Sequence, residues 1–380
     1  MVNSNADALG IIFPNSYDSL VPELVSERLM ASIPFAGRYR MVDFILSSMV
    51  NCGIDNISII VRKNYHSLMD HLGSGRAWDL VRKNGGLNIV PPYAEKTVKV
   101  FSGRVDALAS VLDFLKDQKE EYVVMSDPNI AANFDFKAML QAHIDSGADV
   151  TVVYAEDEIP AGMKKPETVN RELYYTLDLD GTRVKKIGIN SDQDGVQNLS
   201  MNIYVISRTL LIDLIKEAYV QGYAHFGRDV LSRQLNELNV QAYRFDGYKA
   251  RISDMKSYFD ENMKLLVDEN LDGLFSGNPI YTKVRDDNPT RYINGAKAKN
   301  IMAADGCVIE GEVENSVLFK GVKIGKGAKV KNCVLMQDTV VGENVSLEYI
   351  ITDKNVTITE GKELRGTDSF PVYVAKLEVV

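Results

Sequence analysis

A short repeat in the last quarter of the chain constrains the fold most strongly. Val322, Ala328, Val334 and Val340 follow one another at six-residue steps, with glycines and other small residues between them. In a parallel β-helix each coil turns three corners, so one aliphatic side chain in six can stack on its copy in the next coil. An antiparallel sheet with glycine turns is the alternative, but its period of two would give a more regular alternation. The repeat therefore predicts a β-helix of hexapeptide repeats.

The first two thirds of the chain follow a different pattern, in which short β-branched runs alternate with longer helical stretches. This alternation is typical of parallel βαβ units and predicts an α/β sheet with helices on both faces. The predicted strands are 8–13, 57–61, 122–125, 150–154, 201–206 and 240–245, and the predicted helices are 39–52, 104–116, 136–146 and 208–219.

A further helix is predicted over 257–271, and the turn-rich segments 276–279 and 286–289 indicate an extended linker after it. These patterns divide the chain into three parts. We expect an α/β domain at 1–250, a helix and linker at 251–293, and the β-helix at 294–380.

Charge and cysteine content exclude several classes of protein. With 43 lysine and arginine residues against 52 aspartate and glutamate residues, the formal charge is −9, so a nucleic-acid partner is not expected. Cys52, Cys307 and Cys333 are too few and too scattered for a disulfide framework or a zinc site, which favours a cytoplasmic location. The sequence has no signal peptide and no apolar run of about 18 residues, so no contact with a membrane is expected.

Several blocks of the sequence resemble a known enzyme family. Residues 33–48, IPFAGRYRMVDFILSS, continuing to NCGI at 51–54, resemble the PFGGKYRIIDFxLSNxxNSGI block of ADP-glucose pyrophosphorylases, which are glucose-1-phosphate adenylyltransferases. SGRVDA at 102–107 is similar to the family's YRGTADA, LSMNIYV at 199–205 to its ASMGIYVF, and 248–259 to its YWxDVGTxxAYW. With the hexapeptides, the resemblance covers essentially the whole chain.

The resemblance implies a fold and an activity. The fold is a Rossmann-like, GT-A-like nucleotidyltransferase α/β domain followed by a left-handed parallel β-helix. The activity is the synthesis of ADP-glucose and pyrophosphate from ATP and glucose 1-phosphate, with Mg²⁺, by a tetramer that serves glycogen synthesis.

The phosphate loop of the family is missing here. In the family the first strand ends in GGxGxRL, whose backbone N–H groups approach the triphosphate because glycine has no Cβ. The corresponding segment, PNSYDSL at 14–20, has no glycine; Pro14 has no N–H, and Asp18 is expected to repel a phosphate. Met30 replaces the KPA lysine that contacts the substrates' phosphates in the family.

The metal carboxylates of the family have also changed. Arg251 stands where YWxDVGT has its Mg²⁺-binding aspartate, and a guanidinium cannot ligate magnesium. The second metal aspartate, in GDHIY, aligns with Asp127 in one register and with Pro128 in another, and the sequence leaves both open. We therefore expect no intact catalytic set, with Asp127, Met30 and Arg251 as its remnants, and neither a bound metal nor another cofactor.

A remnant of the substrate pocket is also implied by the resemblance. Asp106 lies in a block that is near the nucleotide in relatives, although a structural role is the alternative for it. Asn202, after Met201, replaces the glycine of SMGIYVF. We expect these three residues to mark the former substrate pocket.

Two arginines of the family's effector site are retained. Arg28 and Arg40 match arginines that bind phosphorylated effectors in the groove between the two domains. Guanidinium groups hold phosphate through two parallel hydrogen bonds, so their retention indicates a regulatory anion site. Ordinary ion pairs at the surface or between the domains are the alternative, and the sequence favours neither. Arg38 and Arg104 could supplement such a site, but a solvated position is favoured for each of them.

Losses at so many substrate contacts predict a regulatory, catalytically deficient subunit. Its partner would be the catalytic subunit of glucose-1-phosphate adenylyltransferase, which it would activate in a hetero- or homo-oligomeric tetramer that responds to a phosphorylated small molecule. The alternative is a slow but genuine adenylyltransferase that uses Asp127 with a displaced carboxylate such as Asp254. A hexapeptide acyltransferase is disfavoured because no histidine follows His225 to act as its base.

Overall fold

The structure is a computed structural model that describes residues 7–91, 101–164, 174–293 and 295–380. A nine-stranded mixed sheet forms the first domain. Its strands are β1 (Ala8–Ile12), β2 (Asn56–Ile60), β3 (Gly86–Val90), β4 (Tyr122–Ser126), β5 (Val150–Glu158), β6 (Tyr175–Asp180), β7 (Arg183–Ile189), β8 (Val196–Ser207) and β9 (Val240–Arg244). The helices around it are α1 (Met41–Asn51), α2 (His66–Leu72), α3 (Arg104–Ala109), α4 (Leu112–Asp117), α5 (Phe136–Ser146) and α6 (Arg208–Val220).

The sheet has the order β3-β2-β1-β4-β8-β5-β9-β7-β6. Strands β3, β2, β1 and β4 are parallel, as the sequence predicts for this half of the sheet. The prediction of parallel units fails at β8, which runs antiparallel to both β4 and β5, and at the hairpin of β6 and β7. An apolar run identifies a buried strand but not its direction, and β8 follows a short connection from β7 and not a helical crossover.

Helices cover both faces of the sheet, as predicted. On one face α3, α4 and α6 contribute Leu108, Leu115 and Leu211 to a buried cluster with β1 and β4. On the other face α1, α2 and α5 pack on the sheet with side chains such as Ile45 and Leu68. Because the parallel strands are covered on both faces, every residue of β1 and β2 is buried, including the polar Asn56 and Ser58.

Two predicted helices are each divided into two. The stretch predicted at 104–116 breaks between α3 and α4, where Val111 leaves the helical region with φ −114° and ψ 14°. The stretch predicted at 257–271 forms α7 (Met255–Lys264) and α8 (Asp268–Phe275). Asp254 and Ser257 form a reciprocal capping box that starts α7.

The second domain is a parallel β-helix with three faces. Its strands are β10 (Arg291–Tyr292), β11 (Lys297–Ala303), β12 (Val308–Ile309), β13 (Glu312–Leu318), β14 (Lys323–Ile324), β15 (Lys329–Lys331), β16 (Val334–Leu335), β17 (Val340–Val341), β18 (Ser346–Glu348), β19 (Ile350–Thr352), β20 (Thr357–Ile358), β21 (Glu363–Arg365) and β22 (Val372–Val374). Every pairing among these strands is parallel.

The repeat is less regular than the sequence indicates. Val313 lies opposite Val330 and Val340 opposite Thr357, so these coils take 17 residues, one fewer than three hexapeptides, whereas Ala298 lies opposite Val313, only 15 residues on. Strict six-residue steps therefore lose phase after Ala328. Val334 points out of the β-helix into a cluster shared with the first domain, and the neighbouring Leu335 fills the interior.

The two domains share a continuous apolar interface. Val317, Val334 and Ile351 on one face of the β-helix belong to the same buried cluster as Tyr258 and Phe259 of α7. The connecting segment 276–289 lies along the first domain: Tyr281 N–H donates to Ser47 Oγ at 2.8 Å, and Asn51 Nδ2 donates to the Pro279 carbonyl at 2.8 Å. No helix among the described residues is both long enough and apolar enough to cross a bilayer.

Candidate functional site

A cleft opens at the carboxyl ends of the parallel strands. Phe13, Ile60 and Asp127 lie at or just beyond the ends of β1, β2 and β4, where open α/β sheets bind their ligands. The cavity measures about 130 Å³. Its lining is rich in aromatic, basic and amide groups: Phe13, Asn15, Ser16, Tyr17, Arg62, Ser102, Gly103, Arg104, Tyr175, Asn202, His225 and Phe226.

The loop after β1 does not present its amides to the cleft. The N–H groups of Ser16, Asp18 and Leu20 donate to carbonyls of the same loop, those of Phe13, Asn15 and Tyr17. These donors are therefore unavailable to a phosphate, as the loss of glycine predicts. The expectation that Asp18 faces a phosphate is wrong: its carboxylate is buried behind the loop and accepts hydrogen bonds from the Met30 N–H at 2.7 Å and Asn15 Nδ2 at 2.9 Å. Burial raises the pKa of Asp18 to about 6, against the opposing effect of these bonds.

Inside the cleft, Arg104 is paired with Asp127. Arg104 Nη2 donates to Asp127 Oδ2, and the guanidinium lies over the rings of Phe13 and Tyr204 at 5.0 and 5.5 Å. Arg104 is therefore not solvated, contrary to the expectation from the sequence. Burial alone would lower the pKa of Arg104, but the adjacent Asp127 carboxylate outweighs it and raises the pKa. The permanently charged Arg104 guanidinium is thus bound to the Asp127 carboxylate, which β4 brings to the cleft.

The residues at this position do not fit a magnesium ion. One oxygen of Asp127 is bound to Arg104, and Asp127 is the only acidic side chain that lines the cleft within the described part of the chain. Arg251 is buried outside the lining, with both terminal nitrogens 3.5 Å from the Ser200 carbonyl, and burial lowers its pKa. Among the described residues, no three His, Cys, Asp or Glu side chains converge as metal ligands do.

Of the expected pocket residues, the structure brings only Asn202 to the cleft. Its φ is 55°, a value that asparagine tolerates better than most residues, at an irregularity of β8 between Ser200 and Tyr204. Asn202 Nδ2 donates to Tyr17 Oη, and its Oδ1 accepts from Tyr204 Oη at 3.1 Å. The amide therefore joins the loop after β1 to β8.

The other expected residues lie outside the cleft lining. Met30 and Met201 are buried in separate apolar clusters. Asp106 is half-buried on α3 and accepts a hydrogen bond from the Ser102 N–H at 3.0 Å. This contact favours a structural role for Asp106 over a role in the substrate pocket. Asp254, the displaced carboxylate of the slow-enzyme alternative, accepts from the Ser257 N–H at the start of α7. The structure therefore does not bring a second carboxylate to Asp127.

A second cavity, of about 240 Å³, lies between the two domains. The first domain supplies Arg38 and Arg40, and the β-helix supplies Lys320 and Lys354. The linker adds Lys283 and Arg285, while Asp70 is the acidic residue that lines the cavity in the described part of the chain. Cations from three segments therefore converge on one space, an arrangement whose field attracts anions.

The cations of this cavity repel one another. Burial, reinforced by the charges of Arg40 and Arg28, lowers the pKa of Lys354 to about 7. Burial also lowers the pKa of Arg40, to about 10, with Arg28 adding to the effect. Arg40 Nη1 is held by the Ser67 carbonyl and hydroxyl at 2.6 and 2.9 Å. An anion in the cavity would relieve this repulsion.

Arg28 does not line the cavity. It is buried, and its two terminal nitrogens bind the two oxygens of Asp353 at 2.9 and 2.7 Å. This geometry favours the interdomain ion pair over direct contact with an effector for Arg28. Arg40 faces the cavity, so the effector-binding prediction stays open for it.

Family models and relatives agree with this architecture. A model described as nucleotidyl transferase matches residues 23–162, and one described as GlmU-like, C-terminal hexapeptide matches residues 284–369. Glucose-1-phosphate adenylyltransferase of Bacillus mycoides is 32% identical over 340 residues, with 88% of both chains covered. The chain belongs to the glucose-1-phosphate adenylyltransferase family.

Other members of the adenylyltransferase family carry a different name. The glycogen biosynthesis protein GlgD of Bacillus subtilis is 35% identical over 374 residues, covering 98% of this chain and 96% of its own. GlgD of Geobacillus stearothermophilus is 36% identical over 332 residues, covering 86% and 83%. These names place the chain in a glycogen-synthesis nucleotidyltransferase family. The match to the nucleotidyl transferase model begins at residue 23, after the loop that lacks the glycines.

Sequence reasoning missed several site residues that the adenylyltransferase-family resemblance did not mark. Arg104 follows Gly103, at which a Cβ would overlap the Ala224 carbonyl, so the start of α3 is pressed against the cleft wall. The available signal for Arg104 was its position directly after Gly103, in the SGRVDA block that resembles the family's YRGTADA. The cavity residues Lys283, Lys320 and Lys354 come from three separated segments and carry no local signal.

Proposed function

We propose that this chain is a regulatory, catalytically deficient subunit of glucose-1-phosphate adenylyltransferase. In this role it activates the catalytic subunit, which makes ADP-glucose and diphosphate from ATP and glucose 1-phosphate in glycogen biosynthesis. The observation that carries the proposal is the ion pair of Arg104 with Asp127 inside the cleft. The membership of the family supports the pathway, and the cleft chemistry supports the loss of activity.

The ion pair opposes catalysis in two ways. Nucleotidyl transfer needs a divalent cation and preorganised donors where charge develops on the phosphates. At Asp127 the cation position is already taken by a tethered guanidinium, which offers no coordination positions to phosphate oxygens or water as a metal ion does. In the loop after β1 the donors of Ser16, Asp18 and Leu20 are used internally. Losing one such donor alone costs about 3 to 4 kcal/mol of transition-state stabilisation.

The cavity between the domains supports a regulatory role. Arg38, Arg40, Lys320 and Lys354 belong to two different domains and face one space. An anion bound there would contact both domains at once, so it would favour the domain arrangement in which the cations lie closest. A phosphorylated small molecule is the effector we propose, because phosphate accepts hydrogen bonds from several cations together.

The proposed partner is the catalytic subunit, in a shared tetramer in the cytoplasm. Full-length similarity to adenylyltransferases means that the two kinds of chain would have the same domain architecture and could exchange places in one oligomer. Cys52, Cys307 and Cys333 are buried and free of disulfides, which agrees with a reducing compartment.

The first experiment measures pyrophosphate release by the purified chain with ATP, glucose 1-phosphate and Mg²⁺. Ordinary enzymes turn over at about 1 to 1000 per second, and we expect a rate at least about a thousandfold below the lower end of that range. A rate within that ordinary range would overturn the proposal, and a slower rate that requires Mg²⁺ and is lost in Asp127→Asn would favour the slow-enzyme alternative.

The second experiment adds the adenylyltransferase encoded by the same genome. We expect the two chains to elute together and the adenylyltransferase to turn over faster, or to respond differently to phosphorylated metabolites, than it does alone. A matched variant, Lys354→Met with Arg40→Met, should retain co-elution and lose the changed response. Unchanged kinetics together with separate elution would overturn the regulatory role.

A further inference from the structure

Three positions at which this chain departs from the family motifs meet beside the cleft. Tyr17 lies in the loop that has no glycine, Asn202 stands at a motif glycine on β8, and Arg251 stands at a motif aspartate. Asn202 Nδ2 donates to Tyr17 Oη, and Tyr17 belongs to the buried cluster that holds Ala250 and Ile252, the neighbours of Arg251. Tyr17 also lines the cleft, so its side chain stands between the cleft and the segment of Arg251.

Tyr17 and Asn202 both hold backbone conformations of the left-handed region. The angle φ is 67° at Tyr17 and 55° at Asn202. Asparagine tolerates such values, but an aromatic residue rarely adopts them, and they persist only where surrounding contacts enforce them. The Tyr17 side chain is buried, and its hydroxyl is held by Asn202, which in turn accepts from Tyr204 Oη at 3.1 Å. We call the buried Tyr17 side chain and its hydrogen bond to Asn202 the latch, because they hold the loop after β1 in place.

Arg251 is a buried cation that lacks a close countercharge. It is 7% exposed, and its terminal nitrogens reach the Ser200 carbonyl only at 3.5 Å. Among the described residues its Nε has no hydrogen-bond partner, and Asp157 binds Lys249 at 3.4 Å instead. Burial lowers the pKa of Arg251, and the Tyr17 hydroxyl and Asp157 oppose this only in part. Buried charged groups are normally paired, so Arg251 is short of an acceptor.

A second buried donor beside Arg251 also lacks a partner. Asn129 is 1% exposed, and its Nδ2 has no hydrogen bond in the part of the chain that the structure describes. The Asn129 carbonyl accepts from the Ile252 N–H at 2.9 Å, which places Asn129 next to Arg251 across the strand pair. Both unpartnered groups are donors, so an anion with several acceptor oxygens is the ligand that would satisfy them.

The groups on the cleft side of Tyr17 are also basic. Arg62 and Arg104 line the cleft, and Asp127, the one acidic lining residue of the described chain, is bound to Arg104. Burial lowers the pKa of Arg104, whereas Asp127 and the hydroxyls of Tyr204 and Tyr17 raise it, so Tyr17 is close to the Arg104 guanidinium too. Guanidinium groups stay charged at every ordinary pH, so an anion bound by two of them needs no metal ion.

We propose that release of the latch opens an anion site between Arg104 and Arg251, which binds free diphosphate without a metal ion. In the closed state Tyr17 fills this space, so only the fraction of molecules with an open latch can bind. Diphosphate is small and carries enough oxygens to accept from both guanidinium groups and from the Asn129 amide at once. The site concerns the cleft alone and does not depend on whether the chain activates a partner.

Calorimetric titration of the full-length chain with sodium diphosphate, in the presence of EDTA, tests the site. Every protein in the comparison carries Arg40→Met/Lys354→Met, which removes two cations of the cavity between the domains. Tyr17→Gly releases the latch fully and Asn202→Gly releases it more mildly, since glycine accepts the φ of both positions. Asn344→Gly, at an exposed asparagine of the β-helix with φ 57°, is the matched control.

We expect both released variants to bind diphosphate about tenfold or more tightly than the latched protein, and the control to differ from it less than about threefold. Adding Arg251→Met to a released variant should remove the gain. Hydrogen exchange of the amides at 14–20 should be faster in Asn202→Gly than in Asn344→Gly. Urea unfolding checks each variant, and Asn202→Gly carries the test if Tyr17→Gly does not fold.

Three results would overturn the inference. The first is equal binding of diphosphate by Asn202→Gly and the control, or a gain that survives Arg251→Met, which would place the anion elsewhere. The second is equal exchange of the loop amides in Asn202→Gly and Asn344→Gly, which would show that no latch holds the loop. The third is a marked loss of stability in Arg251→Met alone, since a guanidinium without a partner has none to lose. Each of these results leaves the proposed regulatory role untouched.

Discussion

Arg28 and Asp353 are 325 positions apart in the sequence and form a buried ion pair with two parallel hydrogen bonds. The side chains are 4% and 2% exposed. Tyr373 Oη also donates to Asp353 Oδ2 at 2.7 Å, and the Lys354 N–H donates to Oδ1 at 2.7 Å. The pair therefore ties the segment before α1 to the β-helix, directly beside the cationic cavity.

Removal of the cation of this pair should destabilise the chain strongly. Arg28→Met leaves the Asp353 carboxylate buried without its countercharge, so we expect a loss of about 3 to 5 kcal/mol in urea unfolding. Lys376→Met is the control, since Lys376 pairs with Glu27 across the same interface at 2.5 Å but its side chain is 35% exposed, and it should cost at most about 1 kcal/mol. Similar losses for both variants would contradict the buried pair.

The Arg104 and Asp127 pair predicts a pH-dependent cost. In Arg104→Met, Asp127 keeps its burial but loses the cation that opposes it, so the pKa of Asp127, already raised by burial, should rise further. A raised pKa destabilises the folded state increasingly as the pH rises from the unfolded value of 3.8 to the folded pKa, so the higher pKa of the variant adds its cost only above the pKa of the wild type. We therefore expect the free-energy difference between wild type and variant to be larger at pH 8 than at pH 5.

Urea unfolding at both pH values measures this difference. Arg244→Met, which removes an exposed pair with Glu156, is the control and should change the stability little and equally at both pH values. A pH-independent cost for Arg104→Met would show that Asp127 does not carry the charge.

Anion binding between the domains should weaken as the pH rises through neutrality. Lys354 has a pKa of about 7, so it is largely protonated at pH 6 and largely neutral at pH 8. The charged groups Arg28, Arg40, Asp353 and Lys376 act on it. An anion prefers the protonated amine, so the dissociation constant for sulfate should rise about threefold or more between pH 6 and pH 8.

Calorimetric titration with sodium sulfate at constant ionic strength tests this, because the charge of sulfate does not change in this range. Lys354→Met should bind sulfate more weakly at pH 6 and show little change with pH. His71 also faces the cavity, and burial lowers its pKa, so the comparison with Lys354→Met separates the effect of Lys354 from that of His71. An equal pH dependence in the variant would assign the effect to another group.

Replacing Met30 with lysine should not restore activity. Met30 is fully buried among apolar side chains and does not line the cleft, so an ammonium there would be desolvated without a partner. We expect Met30→Lys to lose about 3 kcal/mol or more of stability and to show no pyrophosphate release. Met69→Lys, at a position that is 46% exposed, is the control and should be nearly neutral. Substantial turnover by Met30→Lys would mean that the other losses in the cleft matter less than proposed.

Much of the fold could be predicted from the sequence because it depends on local pattern. The apolar runs of β1 and β4 and the helices α1, α5 and α6 lie close to their predicted positions. Strand direction could not be predicted, since the run that forms β8 would look the same in a parallel sheet. The phase of the β-helix was lost at Val334 because the coil there takes 17 residues and not 18, which a fixed period of six cannot represent.

The site was less accessible to sequence reasoning. The loss of glycine in 14–20 correctly predicted that the loop offers no cradle of amides, because glycine is needed locally for such a backbone. The location of the Asp18 carboxylate and the pairing of Arg104 with Asp127 depend on where separate segments meet. Met30 and Arg251 matched functional positions of the family by alignment, but packing places both side chains outside the cleft lining.

The segment that joins the two domains is hydrogen-bonded to both of them. Tyr281 and Pro279 are fastened to α1, Lys283 Nζ reaches the Asp70 carbonyl at 2.8 Å, and Arg285 binds Asp338 of the β-helix at 3.2 Å. Swinging the halves apart would break all of these bonds together. The response that we propose to a bound metabolite would therefore be a slight tilt of one domain relative to the other. Solution scattering would then show an almost unchanged radius of gyration.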